Sequence, residues 1–366
     1  MKLIAFFRSN AVLTIAFAAA VITSCIIKPD TVYLGYFDWK TLSCLFLILA
    51  VICALRNIHI FYLTADKIVS AFRNARKCVL ALVLITFISS LIIGNDMALI
   101  TFMPLAYISL NNTGQDKYIA YTFILMSLAA NLGGMVTPFG NPQNLYLYTT
   151  YEIGFLEFMK IMVIPFAASM ILILLCCLKV KPEPLELSGE VRLLNVKKAL
   201  IYFTLFGYII LIIIRIVPFW TGLIIIPAVL FRYDKTALKD VDYPLLGTFL
   251  CFFVFAGNMS RMPAVSNILT GILAKDTMLI SALTSQVISN VPSAILLSQF
   301  TENYKELLLG VNIGGAGTLV ASLASLITFN EYNRRCPGNG GKFIMLFSVL
   351  NFGFLIVLLL LMEIIL

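Results

Sequence analysis

The side chains in this chain that could bind or move an ion gather at two short stretches. Gly94, Asn95 and Asp96 read "GND" between two apolar runs, and residues 289–293 read "SNVPS" between two others. A break of this kind ends one helix and starts the next. The carbonyls that close the first helix suit a cation, and the N–H groups that open the second suit an anion. Both charges can then be held at one depth. Pro292 falls where the first turn of a new helix tolerates proline. Asp96 is the acidic residue inside these runs, and an ionised group at membrane depth costs at least about 2.5 kcal/mol. Ion binding accounts for its presence, and so does a helix N-cap. Asn95 and Asn290 stand at both breaks, as ligands or as polar links between helices. Ser90 and Ser285 precede the breaks by about a turn, where a serine also bonds to its own helix.

Two longer stretches interrupt the apolar pattern. "NLGGMVTPFGNPQNL" covers residues 131–145 and "NIGGAGTLVASLASL" covers 312–326, with Asn, Gly-Gly, Thr and the final Leu recurring at one offset. Gly133, Gly134, Gly314 and Gly315 permit close backbone approach, while Pro138 and Pro142 remove backbone donors. The carbonyls and amides set free must be satisfied by protein, water or a bound solute. Thr137, Asn141, Asn144, Thr318, Ser322 and Ser325 supply uncharged oxygens and amides there. One proline or glycine suffices for a kink, so stretches this long point to binding. The ion-binding candidates are thus Ser90, Gly94, Asn95, Asp96, Gly133, Gly134, Ser285, Ser289, Asn290, Gly314 and Gly315. Thr137, Asn141, Asn144, Thr318, Ser322 and Ser325 join Asn95 and Asn290 as substrate-facing candidates.

The elements that must position these residues belong to a membrane. The 366 residues are 61% hydrophobic and 12% charged, with a mean hydropathy of +0.98. Soluble domains carry roughly twice that charge. Runs such as 161–178, 199–214 and 343–361 approach or reach the ~20 residues that cross a hydrocarbon core. An all-α polytopic membrane protein follows, with the lipid bilayer as its main partner. The excess of 26 Lys and Arg over 18 Asp and Glu reflects topology rather than nucleic acid. The eight cysteines lack CxxC or metal-ligand spacing, and His59 has no companion for a metal. No phosphate-binding GxxxxGK[ST], catalytic triad, HExxH or paired carboxylate occurs, so the chain is not read as an enzyme. Lys2 and Arg8 ahead of an apolar run loosely resemble a signal sequence; a retained first helix fits a polytopic chain better.

Runs 78–93 with 97–110, and 277–289 with 292–300, are separated by only a few residues and suit re-entrant hairpins. Segments 57–76 and 259–276 before them suit helices lying in the interface. Residues 180–197 form a polar cytoplasmic linker between a first repeat, 1–179, and a second, 198–366. "SLIIGND" at Ser90 matches "SQVISNV" at Ser285, and "DWKTL" at Asp38 matches "DYPLL" at Asp242, in the same order as the glycine-rich stretches. That is a duplication. With a cytoplasmic N-terminus, most of the 26 basic residues fall inside, and the two hairpins open from opposite sides. The expected fold is two inverted repeats, each with a re-entrant helical hairpin and a discontinuous transmembrane helix.

At these residues the sequence resembles the ion transporter superfamily, which includes citrate carriers, divalent-anion:sodium symporters, arsenite permeases and a class of sodium/proton antiporters. Carried over, that family's sodium ligands are Ser90, Gly94 and Asn95 in one half and Ser285, Ser289 and Asn290 in the other. Asp96 adds a possible Na+ contact. "GNPQN" at 140–144 partly matches the family's Gly-Thr-Pro-Pro-Asn, and "ASLAS" at 321–325 is its second-half counterpart. Gly94 replaces a tip serine, Asp96 and Val291 replace tip threonines, and "GND" is closer to the arsenite and sodium/proton branches. The resemblance implies a secondary active transporter of a small anion, such as a di- or tricarboxylate like citrate. Na+ or H+ is the coupling ion, with no other cofactor, and the unit is a homodimer of the cell (inner) membrane with an elevator-type moving domain. Na+/H+ exchange or arsenite efflux is the alternative, and a passive channel or a non-transporting scaffold is the alternative of another class.

Overall fold

The computed structural model describes residues 10–184 and 195–366. Its apolar runs fold into α-helices, because a chain in hydrocarbon must satisfy each backbone N–H and C=O within itself. Among the described residues, seven helices are long and apolar enough to cross a membrane. The protein is an all-helical, polytopic integral membrane protein. Among the described residues no strand forms, and one isolated bridge joins Asn74 to Pro184.

The chain runs through α1 (Ala11–Ile26), α2 (Trp39–Asn57), α3 (Ile60–Ser70), α4 (Ala75–Ile93), α5 (Asn95–Asn111), α6 (Ile119–Gly133), α7 (Pro142–Thr150) and α8 (Phe155–Cys177). It continues with α9 (Val196–Ile213), α10 (Phe219–Tyr233), the short α11 (Lys235–Lys239), α12 (Tyr243–Ser260), α13 (Pro263–Leu273), α14 (Thr277–Ile288) and α15 (Asn290–Leu297). The last three are α16 (Tyr304–Ile313), α17 (Leu323–Arg335) and α18 (Gly340–Ile365). The order of α2 to α8 recurs in α12 to α18. Asp38 accepts the Thr41 N–H at the start of α2, and Asp242 accepts the Leu245 N–H at the start of α12, both at 2.9 Å. The matching aspartates "DWKTL" and "DYPLL" are thus equivalent N-caps.

α4 and α5 pack against each other and return to one place. The Ala75 N–H donates to the Glu183 carbonyl at 2.8 Å, and Lys117, just beyond α5, reaches the Glu183 carboxylate at 2.7 Å. α14 and α15 form a second pair, whose outer ends lie elsewhere. The Tyr151 hydroxyl donates to the Thr301 carbonyl and the Tyr304 hydroxyl to Glu157, both at 2.6 Å. Glu157 is in the first turn of α8, whereas Glu183 follows its end. α8 has 23 residues, about 34 Å at 1.5 Å per residue. The two pairs therefore open toward opposite ends of α8.

Residues 180–184, read from sequence as the start of a linker, are docked on the first half. Arg76 Nε donates to the Val180 carbonyl at 2.7 Å, and Lys117 holds the Glu183 carboxyl below its ordinary range by hydrogen bond and charge. Residues 185–194 of the linker, and Lys2 and Arg8, lie outside the described residues, while its last residues are not linker, because Asn195 caps α9 and the helix begins at Val196.

Small residues allow α4 and α6, and α14 and α16, to touch. A Cβ at Gly133 would collide with the Phe87 carbonyl and fall 2.6 Å from Ser90 Oγ; one at Gly314 would fall 2.8 Å from Ala282 Cα. Gly271 in α13, by contrast, has nothing within 4 Å of such a Cβ. Gly133→Ala should therefore lower thermal stability in detergent by about 1–3 kcal/mol through overpacking. Gly271→Ala should leave it unchanged or slightly higher; equal melting temperatures for the two variants would contradict this packing.

Candidate functional site

The two helix pairs turn in the same way. Gly94 has φ 80° and ψ 157°, and Ser289 has φ 75° and ψ 156°. Glycine adopts this conformation freely, but at Ser289 it costs about 1–3 kcal/mol. After each turn the tip asparagine opens the next helix and bonds the N–H of the residue that follows it. Asn95 Oδ1 accepts the Asp96 N–H and Asn290 Oδ1 the Val291 N–H, both at 2.9 Å. Asp96, the second residue of α5, does not cap it, and its Oδ1 is buried with no hydrogen-bond partner.

Hydroxyls brace both turns at equivalent places. Thr137 Oγ1 donates to the Leu91 carbonyl at 2.9 Å, and Thr318 Oγ1 to the Gln286 carbonyl at 2.8 Å. Ser90 and Ser285 donate to the Phe87 and Ser281 carbonyls of their own helices, both at 2.8 Å. Ser289 Oγ donates to the Ala321 carbonyl at 3.3 Å.

The carbonyls freed between α6 and α7, and between α16 and α17, are satisfied differently. In the first half Asn144 Nδ2 donates to the carbonyls of Gly134, Met135 and Thr137 at 3.0–3.3 Å. In the second half Gln286, from the helix pair, donates to the Gly314 and Ala316 carbonyls at 2.8 and 3.1 Å. Its Oε1 accepts the Thr318 N–H at 2.9 Å. Ser325, which stands where the first half has Asn144, is relieved of that task, and its hydroxyl is buried without a partner.

Two buried asparagines then tie the halves together. Asn131 Oδ1 accepts from Asn95 Nδ2 at 3.2 Å and from Ser322 Oγ at 2.8 Å. Asn312 Oδ1 accepts from Gln143 Nε2 at 3.2 Å and Asn141 Nδ2 at 3.5 Å. Its Nδ2 donates to Asn144 Oδ1 at 2.6 Å and to the Leu308 carbonyl at 2.8 Å. Each of these asparagines takes bonds from the other half of the chain.

The turns, α1, α7 and α12 enclose a cavity of about 220 Å³ lined by Asn95, Asp96, Gln143, Ser289 and Asn290. Val12 and Ile15 of α1 and Phe252 and Phe255 of α12 contribute an apolar wall. A cavity of about 40 Å³ adjoins it, sharing Asn95, Asp96 and Pro142 and adding Gly94, Gly140 and Asn141. One turn farther along α7 and α15, at Tyr146 and Ile295, begins a polar hollow of about 450 Å³ reaching Asp38, Lys40 and Glu152. No Lys, Arg or His is among the described residues lining the two inner cavities.

Of the residues singled out from sequence, the structure brings Gly94, Asn95, Asp96, Asn141, Ser289 and Asn290 to these cavities. Ser90, Ser285, Thr137, Thr318, Asn144, Ser322, Ser325 and the four paired glycines stand behind them, packing or bonding the breaks. Sequence reasoning did not single out Asn131, Asn312, Gln143 and Gln286, which bond the breaks together or line the cavity. The first two head the repeated stretches at the same offset, and Gln143 lies within "GNPQN". Gln286 stands opposite an apolar Leu91, so no repeat marks it.

The chain matches the family described as "Citrate transporter" over residues 3–304. It is 33% identical over 338 residues to an uncharacterized transporter of Methanocaldococcus jannaschii, covering 91% of each chain. It is also 30% identical over 306 residues to the inner membrane protein YbiR of Escherichia coli, covering 81% of each.

Removing the side chain of Asn312 would leave Asn144 Oδ1, Gln143 Nε2 and the Leu308 carbonyl to seek new partners where little water reaches. Asn312→Leu should destabilise the purified protein by about 2–4 kcal/mol, read as a lower melting temperature. A loss below about 0.5 kcal/mol would mean that these bonds are not structural.

Proposed function

The chain belongs to the citrate transporter family and is a membrane transporter; on that premise we propose that it is a secondary active transporter whose site is the cavity between Gly94–Asp96 and Ser289–Asn290. The observation that carries the reading is the convergence of two like turns, from helix pairs opening toward opposite ends of α8, on one cavity. Secondary transporters built from inverted repeats hold substrate and ion at such paired breaks. In this reading α4–α5 and α14–α15 are re-entrant hairpins, and α6–α7 and α16–α17 are discontinuous transmembrane helices. The α4–α8 and α14–α18 segments move together against α1, α2, α9, α10 and α12, past the apolar wall of the cavity. The unit is a homodimer in the cell membrane, with the N-terminus and the Glu183 end of α8 cytoplasmic.

The proposed cargo is a small anion such as a carboxylate, received by the N-termini of α5 and α15, which both begin at the cavity. Na+ or H+ is the coupling ion. A second reading, Na+/H+ exchange or arsenite efflux, is favoured by one observation: Asp96 stands at the cavity with an unpartnered Oδ1 and no described basic residue in the lining.

Purified protein in liposomes tests both. Citrate, succinate or arsenite should move only under an imposed Na+ or H+ gradient; flux indifferent to either gradient would mean a channel, and none for any solute a scaffold. Asp96→Asn should cut gradient-driven flux at least about tenfold, the loss expected when a positioned ionisable partner goes. Unchanged coupling in a well-expressed variant would remove Asp96 from the mechanism.

A further inference from the structure

Two helices end alike and at the same place. α7 closes at Tyr151 with Glu152 at φ 51°, and α9 closes at Ile214 with Arg215 at φ 67°. In this left-handed conformation glycine is the ordinary residue and a larger side chain is strained. At the end of α9 the Ile216 N–H returns to the Leu211 carbonyl and the Arg215 N–H to the Ile212 carbonyl, both at 3.0 Å. These paired bonds usually accompany a glycine stop. A helix that needed only to stop would carry glycine there, so the Arg215 side chain has a task of its own.

That task is to reach α7. Arg215 Nη2 donates to the Tyr148 carbonyl at 2.8 Å and Nη1 to the Glu152 carbonyl at 2.9 Å. Its Cζ lies 4.7 Å from the centre of the Tyr148 ring. Tyr148 is in the last turn of α7, where carbonyls lack partners within the helix and the helix dipole favours a cation. A planar fork that serves two acceptors while stacked on a ring suits arginine and not lysine. α7 spans nine residues, from Gln143 at the larger inner cavity to Thr149 and Thr150 in the polar hollow that Glu152 also lines. Arg215 therefore grips the far end of the short helix whose near end borders the proposed site. Neighbouring contacts between these two sets of helices are aromatic: Phe139 meets the Phe206 ring at 6.2 Å and Tyr146 the Phe253 ring at 5.7 Å. Such contacts slide, whereas two charge-assisted hydrogen bonds fix one position.

We propose that Arg215 is a latch: it holds α7, and with it the moving segments, against the fixed end of α9 in the present arrangement, and it lets go when the other arrangement forms. This rests on the transport reading, in which α7 moves and α9 does not. Arg215 and Glu152 are both exposed, so water takes up the guanidinium and the carbonyls as the bonds break. A buried clamp would leave those groups unpaired on opening; this one exchanges its bonds for hydration and is releasable. The latch acts by biasing which of two positions of α7 is populated.

Distances between dyes on the two sets of helices test this without any flux. In the full chain with Cys25→Ser, which removes the exposed cysteine, Trp220→Cys in α10 and Glu302→Cys between α15 and α16 place a donor and an acceptor at exposed positions. With Arg215 present one distance should dominate in detergent. Arg215→Gln should raise the ratio of a second distance to the first by at least about tenfold, the change expected when a hydrogen bond from a charged group is lost. Arg215→Lys should fall between. An Arg215→Gln protein that melts lower yet keeps the parent distances would make Arg215 a plain helix cap and overturn the latch. In liposomes, a short bifunctional maleimide joining Glu152→Cys to Ile216→Cys should stop flux, and undiminished flux in the linked protein would overturn it as well. Should Arg215→Gln fail to fold, Arg215→Lys and the linked protein carry the test. Distances that shift with Arg215 in a protein that carries no solute would leave the latch standing and fell the transport reading instead.

Discussion

The structure depends on satisfying the polar groups that are exposed when four helices are broken where water is scarce. In such surroundings an unpaired amide or carbonyl is far more costly than in water, so a break is tolerated only where partners are built around it. Asn131 and Asn312 are those partners. Each is 2% exposed or less and sits at the end of an intact helix, and each takes bonds from the interrupted segment of the opposite half. Each half satisfies its freed carbonyls from within, but the side chains of these two asparagines find their partners across the halves. This is why the two halves, alike in element order, form one cored unit rather than two domains joined by a linker.

The same constraint explains where the halves differ. The first half stitches its freed carbonyls with Asn144 from within the break, and the second does so with Gln286 from the neighbouring helix. Once Gln286 performs that task, the position equivalent to Asn144 can be the smaller Ser325. At the turns the substitution runs the other way. Gly94 takes a left-handed conformation without strain, whereas Ser289 holds it with a hydroxyl directed at the Ala321 carbonyl. The side chain after each tip asparagine is an acid in one half and valine in the other, Asp96 against Val291. Backbones alike in turn geometry thus carry unlike chemistry, which suits the substrate and ion of the proposed transport site.

The cavity has two unlike walls. On one side are the turns, with amides, a carboxylate and helix ends held by hydrogen bonds; on the other are aliphatic and aromatic side chains of α1 and α12. Hydrogen bonds are directional and resist sliding, while apolar contact is not and permits it. In the proposed transport cycle the polar wall travels with its guests, and the apolar wall is the surface they pass.

By itself the sequence determined the solvent and the local backbone. Hydropathy requires helices in a bilayer, and the repeated Asn and Gly-Gly, with the prolines of the first half, mark where those helices stop. Because a duplicated sequence repeats its turns, the likeness of Gly94 and Ser289, and of the caps Asp38 and Asp242, was legible in spacing alone. What only the tertiary structure decided is which of the many buried polar groups find partners. Ser322 and Gln143 meet Asn131 and Asn312 across 191 and 169 residues of chain, and no local pattern encodes such pairs. Which buried oxygens are left without a partner, Asp96 Oδ1, Asn141 Oδ1 and Gln143 Oε1 among them, was decided by that packing too. A hydrogen bond is a property of two groups in space, and the order of residues names the groups without bringing them together.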